Sequence, residues 1–250
     1  MITHRVRAAL LAASLLLTGC GGGAAASPDR KAPDPATTAA APSTPAPEAA
    51  AQTVPQQLPG LGPKTRSAVP ASARQVVVVT GRGRDSPLSE AVLYRRTGTG
   101  WQPGPAWPAH NALRGWTDHH LSGDLRSPIG VYGLTDAGGR LPDPGTRLPY
   151  DRSTGGFRSP GTGFEGESLA GSFDYVIAID YNRKPGTSPL DWTRPLGAER
   201  GGGIWIHIDH GGPTHGCVSI AEPHMRELLR ALDPALHPVV VMGDHASLAR

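Results

Sequence analysis

Apolar and polar residues alternate with a period of two along several short stretches of this chain. In "GIWIHI", residues 203–208, Ile204, Ile206 and Ile208 fall on one face; Trp205, His207 and, with continued pairing, Asp209 fall on the other. In "FDYVIAIDYN", 173–182, the same period puts Phe173, Tyr175, Ile177 and Ile179 together. "QVVVVT", 75–80, is a β-branched run that ends at Gly81 and Gly83. "EAVLYRR", 90–96, and the residues around "GTGWQ" predict a strand pair with Gly98 and Gly100 in the turn. "GVYGLT", 130–135, and "HPVVVMG", 237–243, predict two more strands. One stretch carries a helical repeat: in "EPHMRELLRALDP", Met225, Leu228, Leu229 and Leu232 follow i, i+3, i+4, i+7. Pro223 suits its first turn and Pro234 its end. Short strands, Gly/Pro-rich connections and one or two short helices predict a mostly β domain. Segment 136–172 has no clean period. A loop of that length is functional or disordered, and a wall or lid over a groove is the functional expectation.

The first 73 residues follow a different pattern. Arg5 and Arg7 precede an apolar run of about ten residues, Ala8–Leu17. That is short of the roughly 20 residues a spanning helix needs and fits an export signal. "LTGC", Leu17–Cys20, resembles the bacterial lipobox, which implies lipidation of Cys20, a signal segment 1–20 and a membrane anchor rather than a span. Residues 21–73 are rich in Ala, Pro, Gly, Ser and Thr and lack aromatics. Such a composition cannot bury enough apolar surface to offset its ordering entropy, so this stretch is expected to be a disordered tether. Residues 74–250 then form one domain, expected to be held outside the cytoplasm at the membrane surface.

Charge and cysteine content narrow the function. A net charge of +3, with no basic patch interleaved with aromatics, argues against a nucleic-acid partner. With Cys20 lipidated, Cys217 is the remaining thiol and no disulfide within the chain is possible. An unpaired cysteine in an exported protein is either a small buried apolar residue or a reactive thiol.

The chemistry concentrates in "IWIHIDHGGPTHGCVSI", 204–220. The strand presents His207 away from its isoleucines, a Gly/Pro turn follows, and the chain then delivers Cys217. A thiolate is the attacking form of cysteine, and a nearby imidazole activates it by pairing or by taking its proton. Backbone N–H groups of His215, Gly216 and Cys217 lie in a stretch free of bulky cover and suit an oxyanion hole. Gly216 fits a position of close backbone approach or positive φ. Zinc is the competing reading, through His207, His210, His215 and Cys217. The spacing H-x2-H-x4-H-x-C matches no common zinc pattern, and a buried cysteine beside surface histidines is the third alternative.

Thr214, His215, Gly216, Cys217 and Val218, after a His-bearing strand, resemble the signature of the YkuD-type L,D-transpeptidases. "RSPIGVYGL", "AGGRLPDPGTRLPY", "VIAIDYN" and "MRELLRALDP" are similar to further pieces of that family, in its order, over about residues 101–243. The resemblance implies a β-sandwich-like catalytic domain outside the cytoplasmic membrane, facing the cell wall, that acts on peptidoglycan stem peptides and needs neither metal nor organic cofactor; the chain is expected to be a monomer. By the same resemblance Cys217 is the nucleophile and His207 the general base and acid, with one ring nitrogen held by the Ile208 carbonyl. His215 and Gly216 shape the oxyanion region. Tyr150, Arg152, Asp209 and Thr214 are expected to contact substrate, and Arg158 is a further candidate for its carboxylates. The product implied is a 3→3 cross-link. A hydrolase that uses the same acyl-enzyme, and a non-catalytic wall-binding lipoprotein, are the alternatives. Two departures bear on the acceptor: the turn between His207 and Thr214 is short, and Ser219 stands where many members carry Arg or Asn.

Overall fold

In the computed structural model, which describes residues 54–250, the valine run is buried on both sides. It lies in β1 (Gln75–Gly81), which pairs antiparallel with β2 (Leu88–Arg96). Strand β3 (Trp101–His110) continues the hairpin, and β4 (Trp116–Thr117) pairs with β5 (Ser127–Pro128) in a small separate sheet. Then come β6 (Gly130–Gly133), β7 (Ala137–Gly139), β8 (Tyr150–Arg152), β9 (Val176–Ala178), β10 (Trp205–Ile208), β11 (Val218–Ile220) and β12 (Val239–Asp244). Ten strands form one mixed sheet in the order β6-β12-β1-β2-β3-β11-β10-β9-β7-β8. Its two halves meet over a shared core: Val77, Val79, Leu93, Val240 and Met242 pack in one cluster with Ile177, Ile206, Val218 and Ile220. The sheet thus curls into the expected mostly β, sandwich-like architecture.

Helices are few: α1 (Pro63–Ala68), α2 (Glu222–Ala231) and α3 (His245–Leu248). Helix α2 buries Met225, Leu228 and Leu229, with Pro223 in its first turn, as the repeat predicts. None of the helices among the described residues is long and apolar enough to cross a membrane.

The described residues include the end of the stretch expected to be tether, and there the expectation is corrected. Leu58 and Leu61 are buried with Val76, Val78, Val239, Val241 and Leu248 in a second cluster. The backbone of Gly62 donates to Leu248 O at 2.8 Å, and that of Lys64 to Arg250 O at 3.1 Å. Alternation along β1 explains this packing. Val77 and Val79 face the main core, and Val76 and Val78 need a cover of their own, which residues 58–68 and α3 supply. The signal segment 1–20, Cys20 and residues 21–53 of the expected tether lie outside the described residues. Leu61→Ala is expected to cost about 2–4 kcal/mol, as a buried leucine truncation does, and to lower the melting temperature. An unchanged melt would mean that this segment is no part of the folded unit.

Candidate active site

Strand alternation sets out the site. Ile204 and Ile206 enter the main core, and Trp205 and His207 face the other way. Parallel pairing of β10 with β11 aligns Ile206 with Val218 and His207 with Ser219. Counting back one residue puts Cys217 beside Trp205, on the face that carries His207. The two residues therefore share one side of adjacent strands. The sulfur accepts the Trp205 backbone N–H at 3.4 Å and lies 3.7 Å from the Gly203 carbonyl.

His207 is 2 % exposed, and its Nδ1 lies 2.8 Å from the Ile208 carbonyl. A carbonyl only accepts, so Nδ1 carries the proton and Nε2 of the neutral ring keeps its lone pair. Phe173 stands edge-on to the ring at 5.2 Å, and His210 stacks on it at 5.8 Å. Burial pulls the His207 pKa down to about 4, and the Ile208 hydrogen bond only partly opposes this. Burial likewise pushes the Cys217 thiol up to about 11, against the Trp205 N–H. Both shifts favour a neutral thiol and a neutral imidazole at rest over a preformed ion pair.

The approach to Cys217 is braced from behind. Thr214 Oγ1 donates to Cys217 O at 2.7 Å, and Ser127 Oγ donates to Gly216 O at 2.8 Å. Among the described residues no acceptor takes the N–H of His215, Gly216 or Cys217. Gly216 serves close approach rather than a left-handed φ: a Cβ there would sit 2.9 Å from Ile204 Cδ1.

Residues 72–241 match the model of the YkuD family, the L,D-transpeptidase catalytic domain. The chain belongs to this family. Two solved structures are similar to it in part. They are Bdellovibrio bacteriovorus Bd1075, at 16% identity and a TM-score of 0.34, and the helical cell shape determining protein Pgp2 from Campylobacter jejuni, at 15% and 0.38. Each match covers 68% of this chain and 47% of the other, so this chain spans about half the length of those proteins. Among curated proteins none matches.

Within this L,D-transpeptidase domain the expected substrate contacts are reassigned. Thr214 is 3 % exposed and is spent on the Cys217 carbonyl and on a backbone bridge to Ala112. Asp209 accepts from His110 Nδ1 at 2.8 Å and from Ser219 Oγ at 2.7 Å, contacts that pull its carboxyl down to about 2 although burial opposes them. It ties β3, β10 and β11 together. Ser219, wholly buried, is likewise structural. Tyr150 donates to Leu141 O at 3.0 Å and packs on the main core. The row Tyr150, Ala137, Ile177, Ile206 puts it on the core face of the sheet, and Arg152, two residues on, follows it away from Cys217.

The segment expected to be a loop carries the short strands β7 and β8, and its irregular remainder, together with Phe173, sets three aromatic rings beside the site. Phe157 and Phe173 pack on Trp205 at 5.8 and 5.0 Å, and Phe164 lies 4.6 Å from the exposed His215 ring. Glu167 reaches His210 Nδ1 at 3.1 Å, so this histidine of the zinc reading is tied to the long segment. Arg158 lines a cleft of ≈ 200 Å³ with Arg140, Phe157 and Phe173, next to the Trp205 side of the site. Phe173 departs from the expected strand face because the strand starts only at Val176. His120 is buried behind Gly201 and Gly216. Among the described residues no three His, Cys, Asp or Glu side chains converge as a zinc site would require.

Proposed function

We propose that this domain is a cysteine acyltransferase acting on peptidoglycan stem peptides. Cys217 attacks the carbonyl that precedes the terminal D-Ala of a tetrapeptide stem, and His207 Nε2 takes the thiol proton. The N–H groups of His215, Gly216 and Cys217 hold the oxyanion. Collapse of the intermediate breaks the C–N bond, D-Ala leaves with the proton from His207, and a thioester remains. The side-chain amine of a second stem then attacks the thioester, restores the thiol and completes a 3→3 cross-link. The observation that carries this reading is the Ile208 carbonyl on His207 Nδ1, which leaves Nε2 as a base on the sheet face of the thiol. Membership of the YkuD family supports the same chemistry. Anchoring through Cys20, with residues beyond it as a tether to the wall, completes the proposal and rests on the sequence "LTGC".

Mass spectrometry of the products formed from a disaccharide-tetrapeptide tests it. Dimers together with free D-Ala support transfer. Loss of D-Ala without dimers assigns the hydrolytic alternative, and no turnover rejects both.

A further inference from the structure

The stretch that leads to the thiol is "RGGGIW", and its three glycines have φ of +65°, +143° and +67° at Gly201, Gly202 and Gly203. Only glycine adopts such a series without strain. The space left by the missing side chains is occupied by Arg194. A Cβ at Gly202 would collide with its Nε, and one at Gly203 would stand 3.6 Å from its Nη2. Gly203 is also the residue whose carbonyl lies 3.7 Å from the Cys217 sulfur.

The donors of Arg194 are unevenly used. Nη1 donates to Asp191 O at 3.1 Å and to Thr193 O at 3.0 Å. Nε and Nη2 have no acceptor, and no carboxylate forms an ion pair with this guanidinium, among the described residues. The side chain is nonetheless half-buried and lies over the Trp192 ring, 5.0 Å from its centroid. Trp192 itself is 78% exposed, an aromatic surface without cover. The same protein shows what a free Nε–Nη2 edge binds: Arg140 donates to Asp174 through these two atoms, at 2.6 and 3.0 Å. A planar carboxylate matches that edge with two parallel hydrogen bonds.

We infer that Arg194, lying on Trp192 and kept open by Gly202 and Gly203, is an anion subsite beside Cys217 that binds a carboxylate of the acyl-donor peptide. This rests on the proposed reaction for its substrate and on the geometry alone for its charge. The carboxylate is either the C-terminal one or one on the side chain of the third residue. Donors amidated at one or the other position tell them apart.

Alkylation of the full-length protein separates this inference from the proposed reaction. The rates of Cys217 modification by iodoacetate and by neutral iodoacetamide are read by mass spectrometry of the Cys217 peptide. Arg194→Gln is expected to slow iodoacetate about tenfold and to leave iodoacetamide within about twofold, the scale of one charge-assisted contact. Arg194→Lys keeps the charge without the fork and is expected to fall between. With tetrapeptide donor, Arg194→Gln is expected to raise KM about tenfold, and the donor amidated at the bound carboxylate loses that sensitivity. An unchanged reagent ratio, an equal fall with both reagents, or a Cys217 that resists both overturns the subsite. A wild-type charge preference without D-Ala release overturns the proposed reaction and leaves the subsite standing.

Discussion

Replacing Cys217 with alanine is expected to abolish D-Ala release and dimer formation from tetrapeptide donor, a loss of more than about a thousandfold. No acyl-enzyme is expected in the intact mass after incubation with donor. The fold is expected to survive. The residue as a whole is only partly buried, and the polar contacts of its sulfur are the 3.4 Å Trp205 N–H and the 3.7 Å Gly203 carbonyl, weak bonds because sulfur is a weak acceptor and donor. The braces of the turn, Thr214 to the Cys217 carbonyl and Ser127 to the Gly216 carbonyl, use backbone atoms that alanine retains. A melting temperature within a few degrees of the parent, with about 1 kcal/mol or less lost, is the matching control. Persisting turnover in this variant would place the nucleophile elsewhere.

The parts of the molecule legible in the sequence are those whose partners are close along the chain or repeat with a fixed period. Strand β10 is the clearest case, since "IWIHI" by itself separates His207 from the core isoleucines. Helix α2 is another, with one apolar face and a proline at each end. Strand β3 is legible only at its start, "GTGWQ", because Pro103, Pro105 and Pro108 break its pattern. The valine run announced a strand but not that both its faces are covered. That fact required Leu58 and Leu61, two apolar residues in a stretch whose average composition reads as tether. Thr214 and Asp209 looked available for substrate because their partners, Ala112 and His110, lie about a hundred residues away. The aromatic wall of Phe157, Phe164 and Phe173 stands on irregular backbone, where no period marks which side a ring will take. Its only sequence signal was the presence of three phenylalanines in one loop region, which is every phenylalanine of the chain.

His207→Gln is expected to lower kcat by about 10²–10⁴, the range for a removed general base, while glutamine keeps an N–H for the Ile208 carbonyl. The pH dependence makes the assignment specific. The base must be neutral to accept a proton, and burial lowers its pKa to about 4, so the acid limb of kcat/KM is expected near 4 rather than near the ordinary 6.5. The thiol, raised to about 11, gives no limb in the neutral range, and the profile between is expected to be flat. A limb near 6.5 would show that His207 is exposed when the enzyme acts. The same burial affects stability. Between about pH 6.5 and 4 the unfolded chain protonates His207 and the folded chain does not, so stability falls as pH falls, by up to about 3 kcal/mol. His110, raised chiefly through its hydrogen bond to Asp209, acts in the opposite sense. It is common to both proteins, so the difference between wild type and His207→Gln isolates the buried base. Chemical denaturation at pH 8 and at pH 4.5 reads it: the variant is expected to lose less stability than the parent on acidification. Equal losses would mean that the imidazole is solvated in the folded state, and the neutral thiol–imidazole pair would fall with it.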